Sequence, residues 1–276
     1  MRWATLDCSR PRIVGILNVT PDSFYDGGKS RTVAMACRRA ADWIEQGADF
    51  IEIGGESTRP GAQPVSLEEE RGRVIPVVKA LASHGAPLIV DTSQPGLMAE
   101  AIDGGVVAIN DVRALERPGA CEIVARSRVA VCLMHMQGTP ATMQVAPSYG
   151  EVVAEVRSAL IGFVERARAA GIGNDQIALD PGFGFGKTPI HNLTLLRQLR
   201  VFSGLGFPLM VGLSRKSLIG YLTGRPLEER LAGSVAAALM ALEAGARLLR
   251  VHDVAETRDA IRIWEAIHDD EPSAAA

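Results

Sequence analysis

Residues 50–90 read FIEIGGESTRPGAQPVSLEEERGRVIPVVKALASHGAPLIV. A short apolar run at 50–53 ends in a polar, glycine-rich loop, GGESTRPG. An amphipathic stretch at 67–83 follows, stops at the turn HGAP and gives way to a second apolar run at 88–90. This is one strand–helix–strand unit, and the returning helix makes its two strands parallel. The same unit repeats outward in both directions. Strands are expected at 13–17, 50–53, 88–90, 107–109, 130–133, 177–179, 209–211 and 248–251. Helical patterns lie between them, such as 33–46, 67–83, 151–170 and 228–244, and several end in glycine, at Gly47, Gly85, Gly171 and Gly245. A doubly wound open sheet would satisfy this alternation too. The count of eight and a repeat of roughly 34 residues favour the α/β class in its (βα)8 form, a TIM barrel.

The 276 residues carry no linker or shift in composition, so one domain is expected over 1–276. Its core should span about 12–268, with 1–10 and 270–276 as terminal extensions. A hydrophobic content of 47% can fill a core of that size, which excludes a disordered chain. The 29 basic and 32 acidic residues are interspersed, so no footprint for nucleic acid stands out. No run suits a signal-peptide core or a membrane span, and a cytoplasmic protein with no membrane partner is expected. Cys8, Cys37, Cys121 and Cys132 form no CxxC pair and read as reduced thiols, three of them in the core. The five histidines form no HxxxH or HExxH pattern, so a zinc site is not expected.

The unusual residues cluster just after the expected strands. In order these segments are NVTPDSFYDGG, GGESTRPG, DTSQ, NDV, MHMQGTP, DPGFGFGKT, GLSRKS and RVHDV, whereas the opposite strand ends follow plain turns such as HGAP and EAGA. In a barrel the C-terminal face carries the active site and the other face serves stability. The asymmetry therefore points to an enzyme with its site at that face.

Asp91, Asn110 and Asp180 close strands three, four and six. Each could cap a helix or a loop amide, but together they also suit a flat heterocycle with N–H donors along one edge. Lys216, Arg250 and His252 follow or flank strands seven and eight, where such barrels hold phosphate; ion pairs with nearby carboxylates are the alternative. The first two loops, with Asp22, Phe24, Tyr25 and Asp26 in one and Thr58, Arg59 and Pro60 in the other, serve equally as mobile lids or as ordinary turns. DPGFGFGKT lacks the spacing of a P-loop or a dinucleotide fold, so Phe183 and Phe185 read as walls for a flat ligand or as core.

Taken together, NVTPDSF, GGESTRPG, INDV, LMHMQGTP, DPGFGFGKT, GLSRKS and RVHDV resemble the signatures of the dihydropteroate synthase family, in the family's order and over about residues 13–254. The resemblance implies a transferase that condenses 6-hydroxymethyl-7,8-dihydropterin pyrophosphate with p-aminobenzoate. Its products would be 7,8-dihydropteroate and pyrophosphate, in folate biosynthesis. It implies a pterin site of Asp91, Asn110, Asp180, Lys216, Met134, Phe185 and Arg250. Asn18, Arg250 and His252 would hold pyrophosphate, Asn18 through a bound Mg2+. Phe24, Thr58, Arg59, Pro60 and Ser217 would hold p-aminobenzoate. Lys216, Arg250, His252, Asp22 and Asp26 would serve catalysis, the two acids near the developing cation or the released proton. A homodimer and inhibition by sulfonamides are implied as well, with drug resistance arising on the rim of Phe24, Ser57 and Pro60. Tyr25 and Gln94 depart from the serine and lysine common at those positions.

Two rivals remain. A methyltransferase barrel using methyltetrahydrofolate would share the Asp, Asn, Asp set but has no use for cations around a pyrophosphate. A non-catalytic pterin-binding paralogue should have lost Asn18, Lys216 or the first-loop acids, and this chain keeps them.

Overall fold

The computed structural model describes residues 2–20, 29–59, 61–83, 85 and 87–268. Asp22, Phe24, Tyr25, Asp26, Pro60 and the tail 269–276 lie outside the described residues. The strands are β1 (Arg2–Trp3), β2 (Leu6–Asp7), β3 (Arg12–Asn18), β4 (Phe50–Gly54), β5 (Leu88–Asp91), β6 (Ala108–Asp111), β7 (Ala130–Met134), β8 (Ile177–Asp180), β9 (Met210–Val211) and β10 (Leu248–Val251). β3 to β10 form one parallel sheet in the order β8-β7-β6-β5-β4-β3-β10-β9. A bridge between Leu179 and Leu209 joins its two ends, and the Leu179 amide donates to Pro208 O at 3.0 Å. The result is a nearly closed eight-stranded barrel of the TIM type, as the eightfold alternation requires.

The strand pattern sorts side chains into two populations. Ile13, Leu17, Ile51, Ile53, Leu88, Val90, Val131, Leu133, Leu249 and Val251 belong to the large core cluster shared with the helices. Their alternates Val14, Phe50, Ile89, Ala108, Ala130, Cys132, Ala178, Met210 and Leu248 form a separate cluster, because period-two alternation turns them to the barrel axis. Each large aliphatic side chain so buried stabilises the fold by about 1.5–3 kcal/mol.

Trp3 and Cys8 join the axial cluster. β1 and β2 pair as an antiparallel hairpin, Trp3 is fully buried, and its indole N–H donates to Val131 O at 3.2 Å. The segment expected to be a mere extension thus packs into the lower end of the barrel. Two-residue strands leave no periodic signal, so nothing in the sequence marks this hairpin.

Expected and observed elements differ at their ends. The 67–83 helix is Leu67–Ala82, started by Ser66, whose hydroxyl accepts from the Glu69 amide at 3.2 Å. The 228–244 helix begins later, as Leu231–Glu243, after a short 3-10 turn at Leu227–Glu229. The cause lies in Arg230, which leaves helical geometry while its side chain donates to Arg215 O at 3.1 Å. All four cysteines are free: Cys8 and Cys132 are buried, Cys37 and Cys121 half-buried against the core. Among the described residues no helix is long and apolar enough to cross a membrane.

Candidate active site

One step further along five of the eight axis-facing rows, the side chains become polar, while Ile16, Met134 and Gly212 occupy that level on the other three. Glu52, two residues after Phe50, stands one layer above the apolar floor. Asp91 likewise follows Ile89, Asn110 follows Ala108, Asp180 follows Ala178, and Arg250 follows Leu248. Asp91 and Asn110 are partners in the sheet register, as are Met134 and Asp180. Above this layer opens a cleft of about 540 Å³, lined by residues at and after the C-terminal ends of the strands.

Eleven of the residues singled out from the sequence line that cleft: Asn18, Ser57, Thr58, Arg59, Asp91, Phe183, Phe185, Lys216, Ser217, Arg250 and His252. Asn110, Asp180 and Met134 lie deeper, at 2%, 5% and 3% exposure, and do not line it. The Asn110 amide oxygen is buried without a hydrogen-bond partner among the described residues. An orphaned acceptor of this kind is costly unless something supplies a donor. One oxygen of Asp180 accepts from the Gly182 amide at 2.7 Å, so the loop-capping role is present for that residue. Burial pushes the carboxyl pKa of both Asp91 and Asp180 upward, and Glu52 adds to the rise at Asp91.

Arg250 is committed to carboxylates. Its Nε donates to Glu52 Oε1 at 2.6 Å, and its Nη2 reaches both Glu52 Oε1 and Asp91 Oδ2, the latter at 2.9 Å. Glu52 was missed in the sequence. Its signal was a lone charge inside the fully buried strand FIEIG, which the apolar-run reading passed over.

The cations expected to gather around a phosphate are held differently. Lys216 Nζ donates to Phe183 O and stands 4.6 Å from the Phe185 ring centroid. Burial lowers its pKa to about 8, against the pull of Asp180. Burial also lowers His252 to about 4, helped by Arg250, so the imidazole is neutral at neutral pH. Its Nδ1 lies 3.0 Å from Ser214 Oγ, which also accepts from the His252 amide at 3.2 Å. Arg215 adopts φ +56, an unusual value for a side chain of its size, and is held by Ser234, Arg230 and an ion pair with Asp253. This clamp sets Lys216 and Ser217 at the start of the helix Ser217–Thr223.

Val112, Met134, Met143 and Phe185 form a small apolar cluster of their own, apart from the main core. Phe183 and Phe185 both line the cleft, Phe183 from the main core and Phe185 from this smaller cluster. The DPGFGFGKT loop is shaped by Gly182 and Gly186, at φ +69 and +64. A Cβ at either would fall 1.9 Å from His135 O or 2.3 Å from Gln137 O. Within the turn sits Lys187, 2% exposed, donating to Gly182 O at 2.9 Å and Phe185 O at 3.0 Å. Its Nζ also lies 3.0 Å from His135 Nδ1, so burial and this cation keep His135 neutral, with its pKa down to about 3. Gln94, the departure from lysine, accepts from Arg117 Nη1 and is not part of the cleft lining.

A barrel with a deep polar acceptor set, an apolar wall and cations at one mouth matches a known group of proteins. The pterin-binding enzyme family matches residues 14–252. The dihydropteroate synthase of Escherichia coli K12 is 51% identical over 263 residues, 95% of this chain and 93% of that protein. The Xanthomonas albilineans dihydropteroate synthase solved with 4-aminobenzoic acid superposes with a TM-score of 0.91 at 50% identity, covering 96% of each chain. The Yersinia pestis dihydropteroate synthase in a sulfonamide drug complex gives 0.91 at 48% identity, covering 95% of this chain and 96% of that one. By the strand-end residues, the barrel that carries them and these likenesses over nearly its whole length, the chain belongs to the dihydropteroate synthases, within the pterin-binding enzymes.

Proposed function

We propose that the deep acceptors Asp91, Asn110 and Asp180 bind the N–H edge of the dihydropterin, with Lys216 donating to its O4 and N5. The orphaned Asn110 oxygen carries this reading, since a pterin supplies the donor it lacks. Met134 and Phe185 would face the ring, and Arg250 would lie against it. Asn18, Arg250 and His252 receive the pyrophosphate at the mouth. Thr58, Arg59 and Ser217 receive p-aminobenzoate, as the amine-bound Xanthomonas relative supports. Phe24 and Pro60 belong to the same proposed subsite, and sulfonamides compete there, as the drug-bound Yersinia relative supports.

Among the described residues no group of three or more His, Cys, Asp or Glu could hold a metal ion. Asn18 offers one neutral oxygen, which would hold a Mg2+ brought in with the pyrophosphate. Bound so, the ion would neutralise charge on the leaving group.

In the reaction, the bond between the pterin methylene carbon and the pyrophosphate oxygen breaks, and the electron pair leaves with pyrophosphate. The dihydropterin ring delocalises the methylene cation. The aniline nitrogen then forms the new C–N bond and gives up a proton. That amine is neutral at working pH, so no strong base is needed, and the protein's task is fixed electrostatics. Asp22 and Asp26 remain the proposed partners of the cation or the proton. The family implies a homodimer, and exposed Tyr221 and Met240 leave apolar surface for one, which light scattering would test.

Replacing Asp180 tests the pterin assignment. Loss of a charged hydrogen-bond partner costs roughly 1.5–3 kcal/mol, so Asp180→Ala should weaken pterin binding at least tenfold in calorimetry. Its melting temperature should stay within a few degrees. Normal pterin affinity, or failure to fold, would remove the assignment.

A further inference from the structure

We propose that Glu52 is a positioning residue for the reaction, which holds the Arg250 guanidinium in the plane that pterin and pyrophosphate require. The proposal rests on the reading above that Arg250 meets both groups. Glu52 is 1% exposed and spends one oxygen, Oε1, on Arg250. Its Oε2 is buried with no partner among the described residues. A pair kept for stability would satisfy both oxygens, because an unmatched buried carboxylate oxygen is destabilising, and an apolar pair of similar volume usually does as well or better. The arrangement makes sense as a fixed point for the arginine.

The donor inventory says what that point achieves. A guanidinium has five N–H groups. Nε and Nη2 are taken by Glu52 and Asp91, while Nη1 has no hydrogen bond to any described residue. Glu52 thus fixes one edge and leaves the opposite edge and the flat face for ligand. It also divides the positive charge. Without Glu52, Arg250 would settle wholly on Asp91 and occupy the acceptor the pterin needs.

A double-mutant cycle tests this with the intact enzyme. Glu52→Gln should lower kcat/KM for the pterin pyrophosphate at least tenfold while the KM for p-aminobenzoate stays within twofold. Glu52→Asp, which keeps the charge, should recover most of the loss. In an Arg250→Met background, Glu52→Gln should change kcat/KM by less than twofold. If it retains its full effect there, or if both substrates suffer alike, Glu52 does not act through Arg250 and the proposal falls alone. If Arg250→Met by itself leaves kcat/KM for the pterin pyrophosphate unchanged, the reading of Arg250 falls and takes the proposal with it. Should Glu52→Gln fail to fold, Glu52→Leu, which removes the carboxylate and keeps the volume, carries the same cycle with the same expected outcomes.

Discussion

Lys216 is the cleft cation whose charge changes within an accessible pH range. The surrounding apolar walls disfavour its ammonium and bring the pKa down to about 8, from an ordinary value of 10.5. The group is charged below that value and neutral above it. Its proposed donation to the pterin should therefore fade as pH rises through about 8, and kcat/KM for the pterin pyrophosphate should bend downward there. Arginine stays charged across this range. A Lys216→Arg enzyme, slower at pH 7 because its fork does not copy a point donor, should show no bend below about pH 10. A profile for Lys216→Arg with the same break would assign the titration elsewhere. His252 contributes no limb between pH 5 and 8, since its pKa of about 4 leaves it uncharged throughout.

Among the elements, the first hairpin offers the clearest test of stability against activity. Trp3 stands edge-on to Phe50, with ring centroids 5.6 Å apart, and fills the axial cluster from below. Trp3→Ala removes a large buried ring and leaves a cavity, which costs roughly 3–5 kcal/mol. The melting temperature should drop accordingly, while both KM values hold, because the cleft lies at the other end of the strands. A KM that moved with Trp3 would mean the floor shapes the site. The same hairpin marks the limit of what the sequence conveys. The eight barrel strands were legible to within a residue or two, since each is a short apolar run ending where the chemistry begins. Asp91, Asn110 and Asp180 stood out because a polar residue closing such a run is conspicuous. Glu52 lies in the middle of its run, where an apolar-run pattern does not single it out. Lys187 and His135 are 52 residues apart, and a contact made only when two loops fold together leaves no trace in local pattern. For Arg250 an ion pair is one of two open readings, but its partners cannot be named from the sequence because they come from β4 and β5, two and three strands away around the barrel.

Across the whole molecule, burial falls from the floor to the rim. Asn110 and Asp180 are nearly sealed, Asp91 is at the edge of the cleft, and Thr58, Arg59 and Ser217 are partly or fully exposed. A barrel closed below by Trp3 and its apolar neighbours is a cul-de-sac, and traffic in a cul-de-sac must queue. On the proposed assignment the pterin would park first, at the far end, and the amine last, beside the mouth. Calorimetry should accordingly find p-aminobenzoate binding poorly alone and at least tenfold better once Mg2+ and pyrophosphate are present; equal affinity in both conditions would break the queue. A sulfonamide, standing in the amine's place, should likewise enter only behind the pterin, so more p-aminobenzoate should relieve its inhibition and more pterin pyrophosphate should not.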